Sequence, residues 1–160
     1  MKIIAIVGNS GSGKTRLITR LVPELKKRGV SVAVIKYCAH GFDAGGKNKD
    51  SSKFLAAGAD GVALVSAGRW AVLRQDKRGI SFSDLARHSF RSADLILVEG
   101  GRKDKDLRKI EVLRRGISGV VKSPARELAA LVADFRIPSR VPVFHPRQLE
   151  KIADWLEGGF

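Results

Sequence analysis

Eight consecutive residues, Gly8-Asn9-Ser10-Gly11-Ser12-Gly13-Lys14-Thr15, offer the clearest chemistry in the chain. They fit GxxxxGK(S/T) in full, after an apolar run, KIIAIV, and before a run of helical pattern. The glycines let the backbone curl until successive N–H groups point inward at an anion. A helix starting near Lys14 adds the positive end of its dipole. Lys14 is expected to reach the β- and γ-phosphates of a nucleotide, and Thr15 to offer its hydroxyl to Mg²⁺. A glycine-rich turn arising by chance would need neither the strand before it nor the helix after it.

A magnesium ion held by a threonine hydroxyl calls for a nearby carboxylate. The stretch ADLILVEGG, residues 93–101, holds two acids. Asp94 and Glu99 stand at opposite ends of an apolar strand, roughly 16 Å apart at about 3.3 Å per residue. Ligands of open α/β sheets sit at the carboxyl ends of the strands, which selects Glu99 as the metal ligand beside Thr15. Asp94 then begins the strand or caps the preceding helix. Lys14 and Glu99 are the candidate catalytic residues, and Gly100 allows close approach of backbone to phosphate. Lys36 closes the second strand on the same expected edge. The segment after it, YCAHGFDAGGKNKDSS, reads as a long polar loop of the kind that carries function. Within it His40, Asp43 and Asp50 are candidates for contact with nucleotide, Mg²⁺ or a partner. Asp50-Ser51-Ser52 also reads as a helix N-cap. Cys38 and His40 alone make a poor zinc site, which needs three or four protein ligands.

The elements that must position these residues can be read from periodicity. Strands are expected at Met1–Val7, Val30–Lys36, Leu95–Val98, Lys109–Leu113, Ala129–Ala133 and Val141–Phe144. Lys14 to Arg28 carries Leu17, Ile18, Leu21, Val22 and Leu25 at helical spacing, and Gly29 ends it. Pro23 falls inside that helix and is expected to kink it. Further helices are expected at Ser51–Gly58, Ser81–Phe90 and Gln148–Leu156. Asp60–Ser66 and Arg69–Gln75 form a hairpin turning at Ala67-Gly68. Alternating strands and helices predict an α/β fold: a mainly parallel twisted sheet with helices on both faces, with the β-hairpin as an extension. The chain reads as a single nucleotide-binding domain over residues 1–160.

The net charge of +14 on 160 residues points to an anionic ligand or partner. The cations are scattered rather than held in one block, aromatics are few, and no helix-turn-helix, zinc or RNP pattern is present, so nucleic acid is a secondary reading. The longest apolar runs are too short to span a bilayer. One cysteine and no signal-peptide pattern point to the cytoplasm.

Taken in order, these features resemble the MobB family, the molybdopterin-guanine dinucleotide biosynthesis protein B. The likeness is carried by GNSGSGKT, then Lys36, His40, Asp43 and Lys49-Asp50-Ser51. Next come Ala57-Gly58-Ala59, DLILVEG at 94–100, Lys109-Ile110 and Arg114. Tyr37 and a single His40 stand where the family often has histidines, and Gly101 where it often has an aromatic. The resemblance implies a P-loop NTPase fold and a homodimer of the SIMIBI class that binds GTP with Mg²⁺ and hydrolyses it slowly. It also implies partners: a molybdenum cofactor guanylyltransferase, MobA-like, which joins GMP to molybdopterin. The guanine preference rests on the resemblance, since no N-K-x-D pattern is present. Two other readings stand beside it. An ATP-dependent small-molecule kinase or ligase would also use VEGG for magnesium, and a metallochaperone GTPase would use Cys38 and His40. The hairpin at residues 60–75 is a plausible dimer element, with Trp70 either an interface anchor or ordinary core.

Overall fold

The structure, a computed structural model, describes residues 1–42, 50–76 and 78–160. Its elements in chain order are β1 (Lys2–Val7), α1 (Lys14–Lys27), β2 (Val32–Lys36), α2 (Asp50–Ala56), β3 (Gly61–Ser66) and β4 (Arg69–Arg74). They continue with α3 (Phe82–Ser89), β5 (Leu95–Glu99), β6 (Lys109–Leu113), β7 (Leu128–Ala133), β8 (Val143–Phe144) and α4 (Leu149–Gly158). Two compact units emerge, Met1–Tyr37 with Phe82–Phe160, and Cys38–Ser81.

The larger unit is an α/β layer structure around a six-stranded sheet in the order β2-β5-β1-β6-β7-β8. Every neighbouring pair runs parallel. Alternation along β1 explains the layering. Ile4 and Ile6 face α1 and α4, joining Leu17, Leu21, Leu25, Ile152 and Leu156 in one core. Ala5 and Val7 face the other way, toward Ala86 and Phe82 of α3, with Ile96 and Val98 of β5. Helices therefore cover both faces, and strands buried on both sides read as unbroken apolar runs. Over β6 and β7 the second face is closed by Val121, Phe135, Ile137 and Val141 from irregular segments.

Boundary differences have local causes. Val30 belongs to the stop of α1 rather than to β2, because its N–H bonds to Leu25 O at 3.1 Å. This satisfies a carbonyl at the end of the helix and leaves β2 to begin at Val32. Asp94 neither caps α3 nor faces the ligand edge. Its Oδ2 accepts the Ser31 N–H at 2.9 Å and ties the start of β5 to the start of β2. Helix α1 runs through Pro23 to Lys27.

The smaller unit holds α2 and the antiparallel pair β3-β4, turning at Ala67-Gly68 with Gly68 at φ 78°. Trp70 lies opposite Val65 in this ladder and is 74% exposed, so within one chain it is not core. Val65 and Val72 are exposed too.

Candidate functional site

The chain leaves β1 at Val7 and enters the loop at Gly8. A Cβ there would lie 2.5 Å from both Ser12 Oγ and Val112 O, so only glycine fits. Gly13 at φ 98° and ψ 17° turns the backbone into α1, which begins with Lys14 and has no side-chain cap. Its leading N–H groups have no partner within the helix, the arrangement that attracts an anion. Lys14 Nζ arches over the loop, donating to Gly8 O at 3.1 Å and Asn9 O at 2.8 Å. Ser12 Oγ is buried in the loop and has no hydrogen-bond partner among the described residues.

Glu99 reaches the loop because β5 lies beside β1, with Glu99 opposite Ile6. Thr15 Oγ1 donates to Glu99 Oε1 at 2.7 Å. Lys36 is opposite Glu99 on the other neighbouring strand, so β2, β5 and the loop converge on one sheet edge. Gly100 N bonds to Ile6 O at 3.0 Å, which fixes the backbone just past the carboxylate. Burial lowers the pKa of Lys14. Glu99 opposes this by raising it, while the positive charges of Arg102 and Lys36 lower it further. The residues present thus fit a polyphosphate with magnesium: a glycine cradle, an ammonium over it, an orphaned hydroxyl within it, and a threonine hydroxyl already paired with a carboxylate.

Residues 114–123 clasp the same loop. Asn9 Nδ2 donates to Ile117 O, and Lys122 Nζ donates to Asn9 Oδ1, each at 3.2 Å. The clasp is rooted in Glu111, a charged residue inside β6 that is only 1% exposed. Its Oε2 accepts the Lys122 and Ser123 N–H groups at 3.0 and 2.8 Å, and its Oε1 accepts from Arg102 Nη1 at 2.7 Å. Burial pushes the Glu111 carboxyl up, but the Arg102 guanidinium and the Ser123 bonds outweigh it and hold the pKa below the usual value. Lys109, two residues earlier, is fully buried and donates to Glu127 Oε2 at 2.5 Å. Sequence reasoning missed both roles. The available signal was the charge at alternate positions of an otherwise apolar strand, KIEVL.

Gly101 has a structural reason as well. A Cβ there would meet Phe82 Cε2 at 2.7 Å, and the Phe82 ring packs edge-on against Tyr37 at 5.8 Å. Tyr37 and Phe82 therefore bring aromatic surface to the EGG turn.

Of the residues singled out from sequence, Gly8 through Thr15, Lys36, Glu99 and Gly100 are gathered in the larger unit. His40 and Asp50 belong to the smaller one. His40 is exposed in a turn closed by Gly41 N to Cys38 O at 3.1 Å. Asp50 opens α2 and pairs with Lys53 at 3.2 Å on the surface. Cys38 is a free, half-buried thiol, and no cluster of three or more His, Cys, Asp and Glu exists among the described residues. Asp43 and Lys49 lie outside the described residues. No helix among those described is long and apolar enough to cross a membrane.

The family description "Molybdopterin guanine dinucleotide synthesis protein B", MobB, matches residues 3–134. The chain belongs to the MobB family. It is 31% identical over 156 residues to the molybdopterin-guanine dinucleotide biosynthesis adapter protein of Haemophilus influenzae, spanning 97% of this chain and 87% of the relative. The Escherichia coli adapter protein is also 31% identical, over 96% of this chain and 90% of that protein. A crystal structure of a molybdopterin-guanine biosynthesis protein B superposes with a TM-score of 0.73 at 29% identity, covering 98% of this chain and 97% of that one. The six-stranded sheet and its helices are thus those of MobB, a P-loop NTPase-like fold.

Proposed function

We propose that this chain is a GTP-binding adapter in molybdopterin guanine dinucleotide biosynthesis, acting beside the guanylyltransferase that joins GMP to molybdopterin. The observation that carries the nucleotide reading is the Thr15 Oγ1 to Glu99 Oε1 bond at 2.7 Å, next to Lys14 over the glycine loop. The Gly8–Thr15 backbone would hold the phosphates, Lys14 would balance their charge, and Thr15 and Glu99 would hold Mg²⁺. When bound, the metal ion neutralises charge on the phosphate oxygens. Lys36 adds positive charge at the same edge. Slow hydrolysis, as the family resemblance implies, belongs to this reading. The adapter role follows the names of the family and its curated relatives, and the guanine preference rests on the family resemblance.

The exposed hairpin supports a homodimer. Val65, Trp70 and Val72 expose apolar surface on a two-stranded ladder with open edges. Titration calorimetry with GTP and with ATP, each with Mg²⁺, tests the nucleotide reading. GTP should bind, ATP more weakly, and Lys14→Ala should abolish binding. Unaltered GTP affinity in that variant overturns the role of the loop. Adding the guanylyltransferase to the same titration tests the adapter role, for which tighter GTP binding or a complex is the expected result.

A further inference from the structure

The guanidinium of Arg102 is only partly used by the clasp. Its Nη1 donates to Glu111 Oε1 at 2.7 Å, while its Nη2 is buried and has no hydrogen-bond partner among the described residues. A buried donor without an acceptor costs free energy, so native structures rarely keep one. The side chain as a whole is 30% exposed, which puts the guanidinium at a boundary rather than deep in the core. Its backbone is pinned on both sides, by Gly100 N on Ile6 O and by Asp104 N on Gly101 O, each at 3.0 Å. Gly100 and Gly101, at φ 96° and 70°, turn the chain between Glu99 and Arg102. Strand β6 sets the place of Arg102 beside the loop. Glu111 lies opposite Val7, the residue before Gly8. The same carboxylate accepts the Lys122 N–H, and Lys122 Nζ holds Asn9. Burial lowers the Lys14 pKa first, and the Arg102 charge is near enough to lower it further.

A nucleoside triphosphate exceeds a diphosphate by one phosphoryl group, whose oxygens share the magnesium ion with the phosphate before it. With Thr15 and Glu99 as the metal's residues, that terminal group would lie beside the turn that runs from Glu99 to Arg102. A guanidinium presents several N–H groups in a fixed fork, so it can hold a carboxylate through one nitrogen and a phosphoryl oxygen through another. We propose that Arg102 is the residue that distinguishes a nucleoside triphosphate from a diphosphate, its Nη2 donating to the terminal phosphate while its Nη1 stays on Glu111. The proposal rests on the nucleotide reading above and adds to it the group that reads the length of the phosphate chain. Glu111 is then a positioning residue, which anchors one arm of the fork and leaves the other to the ligand. The missing acceptor of Nη2 is a phosphoryl oxygen, and a small rotation of the fork about its anchored arm would turn that nitrogen toward the loop.

Calorimetry with GDP and with guanosine 5′-[β,γ-imido]triphosphate, each with Mg²⁺ at an ionic strength of about 0.15 M, reads the preference directly. The proteins are the wild type, Arg102→Gln and Arg102→Lys, each checked by its melting curve. The wild type should prefer the triphosphate analogue. In Arg102→Gln the analogue should bind about tenfold more weakly while GDP affinity stays within about twofold, so the preference collapses. Arg102→Lys keeps a cation for Glu111 but has a single nitrogen to share, so its preference should fall by about threefold. Arg102→Gln leaves Glu111 buried without its cation. If that variant does not fold, the ratio of affinities in Arg102→Lys decides. An arginine with a structural role alone would weaken both nucleotides together. Equal affinity of the wild type for the two nucleotides, or a preference that both folded variants keep, overturns the proposal and leaves the nucleotide reading standing. Failure of the wild type to bind either nucleotide overturns that reading, and the role of Arg102 with it.

Discussion

Replacing Glu111 by glutamine perturbs the root of the clasp on the phosphate loop. The glutamine oxygen can still accept the Lys122 and Ser123 N–H groups. Its amide nitrogen then faces Arg102 Nη1, donor against donor, where the carboxylate accepted at 2.7 Å. Removing one partner of a buried ion pair costs about 3–5 kcal/mol. Arg102 keeps 30% of its side chain exposed against 1% for Glu111, so water recovers part of its share. That brings the expected loss to about 2–3 kcal/mol. For a chain of this size it lowers the melting temperature by about 4 to 12 °C. The sign with pH follows from the depressed pKa. Between the folded value and the usual 4.5, folded protein binds fewer protons than unfolded protein. The Glu111 contribution is therefore whole above that window and is lost as the pH falls through it. Scanning calorimetry of wild type and Glu111→Gln at pH 7 and near pH 4 should show the gap narrowing in acid. A gap at pH 7 under about 2 °C, or one that widens in acid, refutes the reasoning.

Three further outcomes are expected. Gly8→Ala drives a methyl group into Ser12 Oγ and Val112 O, and should lose about 1–3 kcal/mol in urea unfolding together with nucleotide binding. Unchanged stability would show that the strand-to-loop turn relaxes freely. Thr15→Val and Glu99→Gln should each weaken the dependence of GTP binding on Mg²⁺ while leaving metal-free binding nearly intact, since Lys14 and the loop amides remain. Equal magnesium dependence in both variants and the wild type would remove them from the metal site. Trp70→Ser should shift the protein from dimer to monomer in sedimentation analysis without lowering its melting temperature as a monomer, because the ring is exposed within one chain. A dimer that survives the substitution places the interface elsewhere.

Much of the frame was legible because strong local signals agreed with the fold. The LILV run, buried on both faces, announced a central parallel strand, and its closing glutamate fell at the ligand edge because β5 lies beside β1. The hairpin turn at Ala67-Gly68 was likewise local. What escaped were choices made by tertiary contacts. Asp94 could have served either end of its neighbourhood, and only the pairing of β2 with β5 decided that it holds Ser31. Glu111 and Lys109 carried no role of their own in the sequence, because their partners lie 9 to 18 residues away along the chain.

The central position of β1 has a consequence for how the phosphate loop comes into being. The strand holding that loop at residue 8 has its two neighbours at residues 95–99 and 109–113, and the helix that covers α1 begins at residue 149. Among the described residues, nothing between α1 and Asp94 pairs with either side of β1. The loop is thus made before the strands that flank β1 and takes its shape only once they pair with it. Such distant pairings make folding slow relative to a chain of local hairpins. A chain halted anywhere before β6 would carry the glycine loop of residues 8–15 and yet lack Glu111, the clasp and one wall of the sheet.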